Sequence, residues 1–232
     1  MALIKSVLLI SSSLSVSACL TPPSVPNDGE RVKVGLLEKI GINIAPALGK
    51  SMLILIASAE TATILAARYP SLFPGGTVSA LVRGSTLPSL QPDAVFTTGA
   101  LLAIAGSQLR LLCFRVLGRH FTFELSVRKD HSLITLGPYS VVRHPSYAGW
   151  LIAMGGIMAA YFSPGSWLRT SGWLDTTTGR VLLGLWTVMA GYGTVSSLVR
   201  PVIEDRFLRE HFREEWDRYA QRVKWRLVPG IF

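Results

Sequence analysis

Leu136-Gly137-Pro138-Tyr139-Ser140-Val141-Val142-Arg143-His144-Pro145-Ser146-Tyr147-Ala148-Gly149-Trp150 is a polar, aromatic stretch punctuated by Pro and Gly, and it runs directly into an apolar segment. Pro145 restricts His144 to an extended conformation. Gly149 lets the helix that follows start against a neighbour. The stretch therefore reads as a loop entering a buried helix, and the chain on either side decides what kind.

On both sides the chain alternates long apolar runs with polar connections. The apolar segments lie at residues 3–20, 51–67, 94–114, 148–162 and 181–198. Charged residues make up 16% of the 232, and the mean hydropathy is +0.40. A soluble domain carries about 25% charged residues. The expected fold is an all-α integral membrane protein of about five transmembrane helices. A cytosolic loop region and a C-terminal amphipathic helix complete it.

The net charge of +9 does not point to nucleic acid. There is no basic arm, zinc spacing or aromatic-basic RNA motif. The basic residues instead fall in alternate connections. Arg119, Arg128, Lys129 and Arg143 lie in one, and Arg200 through Arg226 in the tail, while 68–93 and 163–180 hold two arginines each. Under the positive-inside rule this places 21–50, 115–147 and the tail in the cytosol. The lipid bilayer, not a nucleic acid, is the expected partner.

Residues 1–20 end in Leu14-Ser15-Val16-Ser17-Ala18-Cys19, which has the look of a lipoprotein cleavage box. A retained span is preferred, because the rest of the chain is membrane-embedded. Cys19 and Cys113 sit in apolar surroundings and do not make a disulfide framework. Glu60, in the second apolar run, is costly there unless it faces the interior. A functional carboxylate and a helix–helix bond are equally good readings. Gly99 and Gly106 predict close helix approach in the third run. Arg110 either snorkels or points into a polar site.

Residues 121–127 alternate apolar and polar, and 132–135 can return as a strand, which predicts a small interfacial hairpin. In the tail, Ile203, Phe207, Leu208, Phe212, Trp216, Tyr219 and Val223 recur at helical spacing. The intervening charges include the i,i+4 pairs Asp205–Arg209 and Glu214–Arg218. Arg200 and Glu204 stand apart from these. Arg200-Pro201 reads as the end of the fifth span, where it leaves the bilayer, and Arg200 and Glu204 share a helix face if the helix runs through Pro201.

His144, Tyr139, Tyr147, Arg143 and Ser146 offer convergent polar groups beside an apolar span, the usual composition of a ligand site. A histidine in such a loop serves structure about as often as function. No metal is expected, for lack of ligand spacing. No Rossmann fingerprint or nucleophile elbow is present.

Over its C-terminal half the chain resembles the isoprenylcysteine carboxyl methyltransferase family. The residues that carry this are Leu117-Gly118, His131-Ser132-Leu133-Ile134-Thr135, Gly137-Pro138-Tyr139 and above all Arg143-His144-Pro145-Ser146-Tyr147-Ala148-Gly149. The similarity resumes at Arg200, Glu204-Asp205, Leu208, Phe212, Glu214-Glu215-Trp216, Tyr219 and Val223. Asp205 stands where the family usually has a second Glu, and Arg213 where it often has Gly. The resemblance implies S-adenosyl-L-methionine as methyl donor, leaving S-adenosyl-L-homocysteine. It implies a C-terminal farnesyl- or geranylgeranyl-cysteine carboxylate of a prenylated protein as acceptor.

By position it assigns Glu124, His131, Ser132, Leu133, Ile134, Tyr139, His144, Pro145, Ser146, Tyr147 and Glu204 to the cofactor. It makes Arg200 the substrate contact and Arg200 with Glu204 the catalytic pair. It divides the chain into N-terminal transmembrane helices, 1–114, and a catalytic region, 115–232, and implies an endoplasmic reticulum location. The alternative acceptor is the amine of a phospholipid or another small lipid. A non-enzymatic membrane protein with a structural Arg200–Glu204 pair is the third reading.

Overall fold

Each apolar run becomes a helix whose small or apolar face packs on another helix. The structure is a computed structural model. It describes residues 1–24, 36–83, 90–123 and 132–232, with the side chains of 36–43 left aside. The helices are α1 (Ala2–Cys19), α2 (Leu36–Arg68), α3 (Thr77–Leu81), α4 (Ala94–Leu117), α5 (Pro145–Tyr161), α6 (Trp167–Thr170), α7 (Thr177–Phe212) and α8 (Glu214–Arg222). Among the described residues there is no strand. The two ends of the expected hairpin, 121–123 and 132–135, are irregular, and its centre lies outside the described residues.

By length and composition, α1, α2, α4 and α7 can each cross a membrane. The fold is that of an all-α membrane protein. At 17 residues α5 is shorter than the roughly 20 of an average span. Its most extensive contacts are with α4, and they depend on glycine. A Cβ added to Gly106 would stand 2.5 Å from the Ala153 nitrogen and 2.6 Å from the Gly149 oxygen; one on Gly99 would meet the Ala160 nitrogen at 2.7 Å. Helix association in lipid rests on such close backbone approach.

Besides the short α3 and α6, which stand in expected connections, three helices differ from the sequence expectation. α2 begins at Leu36, ahead of the second apolar run, with Pro46 inside it. The fifth apolar run does not end at Arg200-Pro201. Instead α7 continues 36 residues to Phe212 with Pro201 inside it. Pro201 is fully buried and Asp205 nearly so, so packing outweighs the local cost of the missing hydrogen bond. The tail is not one helix. Arg213 adopts φ 49 between α7 and α8, which turns the chain back. This lets Trp216, Tyr219 and Val223 form a second small core against Leu133, Leu208 and Phe212.

At the end of the bundle where α5 finishes, a polar cluster is buried. Lys5 Nζ lies 2.6 Å from Glu60 Oε1 with both side chains sealed from solvent, and it donates to the Gly165 carbonyl at 2.6 Å. Trp167 N donates to Glu60 Oε2 at 3.2 Å. Glu60 is thus an interhelical ion-pair partner that ties α1 to α2 and to the α6 turn. Both cysteines are buried thiols.

Candidate active site

The loop before α5 is built from its Pro and Gly residues. Gly137 takes φ 60, a left-handed conformation that glycine accepts without strain. Pro138 then opens a short 3₁₀ turn, Gly137–Ser140. Pro145 occupies the first position of α5, with His144 as its N-cap, a position where the missing N–H costs nothing. The segment after α8 clamps this loop. Arg143 N donates to Trp225 O at 2.9 Å, and His144 N donates to Arg226 O at 2.8 Å. Tyr219 Oη donates to the Tyr139 carbonyl at 2.8 Å.

His144 is fixed between two carboxylates of α7. Its Nε2 lies 2.7 Å from Asp205 Oδ1 and its Nδ1 lies 3.4 Å from Glu204 Oε2. Tyr147 Oη donates to the other oxygen of Glu204. Asp205 Oδ2 accepts from Arg226 Nε at 2.7 Å and lies 3.4 Å from Arg143 Nη2. Burial of the imidazole works to lower its pKa. The hydrogen bonds to Asp205 and Glu204 and their charges outweigh burial and hold His144 above the ordinary histidine value. Burial, followed by Cys113 and Glu204, pushes the Tyr139 hydroxyl well above its usual range. Its phenol stays protonated.

These groups open onto a cavity of about 570 Å³, within the range of roughly 300–1,000 Å³ for small-molecule sites. Of the residues assigned from sequence, Ser132, Leu133, Ile134, Tyr139, His144, Ser146, Tyr147, Arg200 and Glu204 line it. Pro145 is fully buried beneath it and does not. Glu124 and His131 lie outside the described residues. Arg200 Nη1 donates to the Phe123 carbonyl at 2.7 Å. The cavity extends from this polar end along an apolar wall that includes Leu53 of α2 and Trp186, Met189 and Gly193 of α7.

Sequence reasoning missed the role of Asp205. It paired Asp205 with Arg209 on an exposed helix face, whereas Arg209 Nε bonds Asp217 Oδ1 at 2.8 Å and Asp205 turns inward to His144. The Glu204-Asp205 dipeptide was the available signal. Adjacent helix residues lie about 100° apart, so the two carboxylates embrace a group inserted between them. Arg226 carried no signal, since it lies beyond the helical pattern. Arg110 also lines the cavity.

Residues 99–164, from the second turn of α4 to just past α5, match the model of the isoprenylcysteine carboxyl methyltransferase (ICMT) family. The resemblance to the ICMT family holds. Over 127 residues the chain is 31% identical to a probable protein-S-isoprenylcysteine O-methyltransferase of Oryza sativa subsp. indica, across 54% of this chain and 56% of that protein. Over 149 residues it is 28% identical to the protein-S-isoprenylcysteine O-methyltransferase of Dictyostelium discoideum, across 62% and 53%. A more distant relative is a Delta(14)-sterol reductase of Ascobolus immersus, 27% identical over 114 residues, which are 49% of this chain and 22% of that protein. The chain spans about half the length of the methyltransferase relatives it matches. No solved structure matches it. The ICMT match includes Arg143 through Tyr147 but stops short of Arg200 and Glu204, which the fold brings to the same cavity.

Proposed function

We propose that the protein transfers a methyl group from S-adenosyl-L-methionine to the C-terminal carboxylate of a prenylcysteine at the cytosolic face of the endoplasmic reticulum membrane. The supporting observation is the cavity. Its polar end gathers His144, Tyr147, Arg200 and Glu204, and its other walls are apolar helix faces. A ligand pair with one charged, water-soluble member and one lipid-tailed member fits that division. A prenyl chain gains about 0.8 kcal/mol per buried CH₂ in lipid, so an apolar wall lets it reach the site without crossing water.

The donor set suits the methyl donor. Glu204 presents a carboxylate to a positively charged group, and Leu133, Ile134 and Tyr139 supply apolar and aromatic surface. The donor's contribution is an electrophilic methyl on a sulfonium. The acceptor carboxylate is ionised at neutral pH, so no side chain need remove a proton. Arg200 holds the carboxylate through its planar fork. His144, locked by Asp205, keeps Glu204 and Tyr147 in place. Alignment of this kind is worth up to about 7–11 kcal/mol in well-oriented systems. In this reading residues 115–232 carry the reacting groups, while 1–114 supply supporting helices and part of the wall.

A phospholipid or small-lipid amine is the alternative acceptor for the same site. An amine brings no negative charge for Arg200 to meet, and neither does a sterol. The test is purified protein with labelled S-adenosylmethionine and a farnesylcysteine analogue, alongside phosphatidylethanolamine. Base-labile methyl ester is the expected product. Label in the phospholipid amine moves the assignment to the alternative, and transfer to neither defeats both.

A further inference from the structure

We propose that Arg110 is a second cation of the site and binds the carboxylate of a bound ligand, a reading that rests on the methyl-transfer function above. Arg110 sits on α4 one turn beyond Gly106. There the glycine contact with Gly149 brings α4 against the first turn of α5. The residue is 8% exposed and lines the cavity. Its hydrogen bonds all end on neutral oxygens. Nη1 donates to Ser146 Oγ at 2.9 Å and to Ser146 O at 3.2 Å, and Nε donates to Cys19 O at 3.4 Å. Nη2 takes part in none of these.

Three other cations of the described residues, buried or half-buried, face a carboxylate. Lys5 faces Glu60, and Arg143 and Arg226 face Asp205. Among the described residues no carboxylate pairs with Arg110. Four rings surround its guanidinium instead: Phe114 at 5.1 Å, Phe123 at 5.4 Å, Trp150 at 5.5 Å and Phe121 at 5.6 Å. Such a cage attracts a cation and orients its plane, but it supplies no negative charge. A buried charge left without a counter-ion is strongly disfavoured, and sites that keep one are functional candidates.

Two observations suggest that the missing partner is a carboxylate. Phe123 joins Arg110 to Arg200: its ring faces the first and its carbonyl accepts from the second. A planar fork with N–H groups to spare also matches a carboxylate. Both ligands of the proposed reaction carry one, the donor on its amino-acid end and the acceptor at its reacting end.

The test uses the full chain in detergent with Arg110→Met and Arg110→Gln. Melting temperature is read without ligand. Dissociation constants are read by calorimetry for S-adenosylhomocysteine, for 5′-methylthioadenosine, which lacks the amino-acid carboxylate, and for an amine-blocked farnesylcysteine. Arg110→Met is expected to melt no lower than wild type and to lose at least tenfold in affinity for one carboxylate ligand. Loss for S-adenosylhomocysteine with methylthioadenosine unchanged identifies the donor's carboxylate; loss for the farnesylcysteine identifies the acceptor's. A folded Arg110→Met protein that binds all three probes as wild type does, or loses all three together, overturns the proposal. Should Arg110→Met not fold, the same three affinities of Arg110→Gln, which is uncharged but keeps an N–H donor, support or overturn the proposal in the same way. Wild-type protein that binds the probes but makes no methyl ester defeats the functional reading alone.

Discussion

The His144 imidazole and the Asp205 carboxylate lie 2.7 Å apart, although 61 residues separate them in the chain, and that bond fastens α7 to the loop before α5. The pKa of His144 is raised above its ordinary value by Asp205 and Glu204 against the opposing effect of burial. A raised folded-state value means that the charged ring stabilises the fold. This contribution is complete below the unfolded value of about 6.5 and is lost as pH rises through the raised one. Wild-type melting temperature should therefore fall through the neutral-to-alkaline range more steeply than that of His144→Gln. Asp205→Asn should shift the wild-type step to lower pH. Scanning fluorimetry across that range checks both, and parallel wild-type and His144→Gln curves would contradict the assignment.

Arg200 and His144 line one cavity but should fail differently. Truncating one partner of a buried, hydrogen-bonded charge pair costs about 2–5 kcal/mol, so Arg200→Ala should lower kcat/KM for the acceptor at least roughly 30-fold. Its affinity for S-adenosylhomocysteine should stay within a few-fold of wild type. His144→Ala removes the ring that holds Glu204 and should weaken that affinity directly. Calorimetry with S-adenosylhomocysteine separates the two, and equal losses would show that the roles are misassigned.

The helices were legible because the membrane demands runs of apolar residues, and the loop was legible because Pro138, Pro145 and Gly137 restrict the backbone locally. What the sequence hid was tertiary. The i,i+4 rule assigned Asp205 to Arg209, since nothing local shows that His144 approaches from the other side. Pro201 read as a helix end because its local cost is visible in sequence and its burial is not. Arg110 was open between snorkelling and facing inward, and only the contact of Gly106 with Gly149 decides it. Glu60 pointed inward as its depth required, yet its partner Lys5 lies 55 positions earlier, beyond any local pattern.

Gly106 should be intolerant of even a methyl group. The added Cβ would meet backbone atoms of Gly149 and Ala153 at 2.6 Å and 2.5 Å, and backbone cannot rotate away as a side chain can. Overpacking of this kind costs about 1–3 kcal/mol. Gly155→Ala, on the same pair of helices with nothing within 4 Å, is the control and should be neutral or slightly stabilising through helix propensity. Melting temperatures in detergent compare them. Equal tolerance at both positions would show that α4 and α5 are not in backbone contact.

Lys5 and Glu60 are the last and most separable case. Both side chains are sealed, at 0% and 1% exposure, so removing one leaves the other as an unpaired charge shut off from bulk solvent. Breaking such a pair costs about 3–5 kcal/mol, and Glu60→Gln alone should show that loss as a large fall in melting temperature. The double change Lys5→Met with Glu60→Met removes both charges and should recover most of the stability, giving a clear coupling in the double-mutant cycle. Because the pair lies at the opposite end of the helices from His144, S-adenosylhomocysteine affinity of the folded variants should not change. Additive losses would mean that α1 is not held through this pair, while a change in affinity would mean that the two ends of the bundle are coupled.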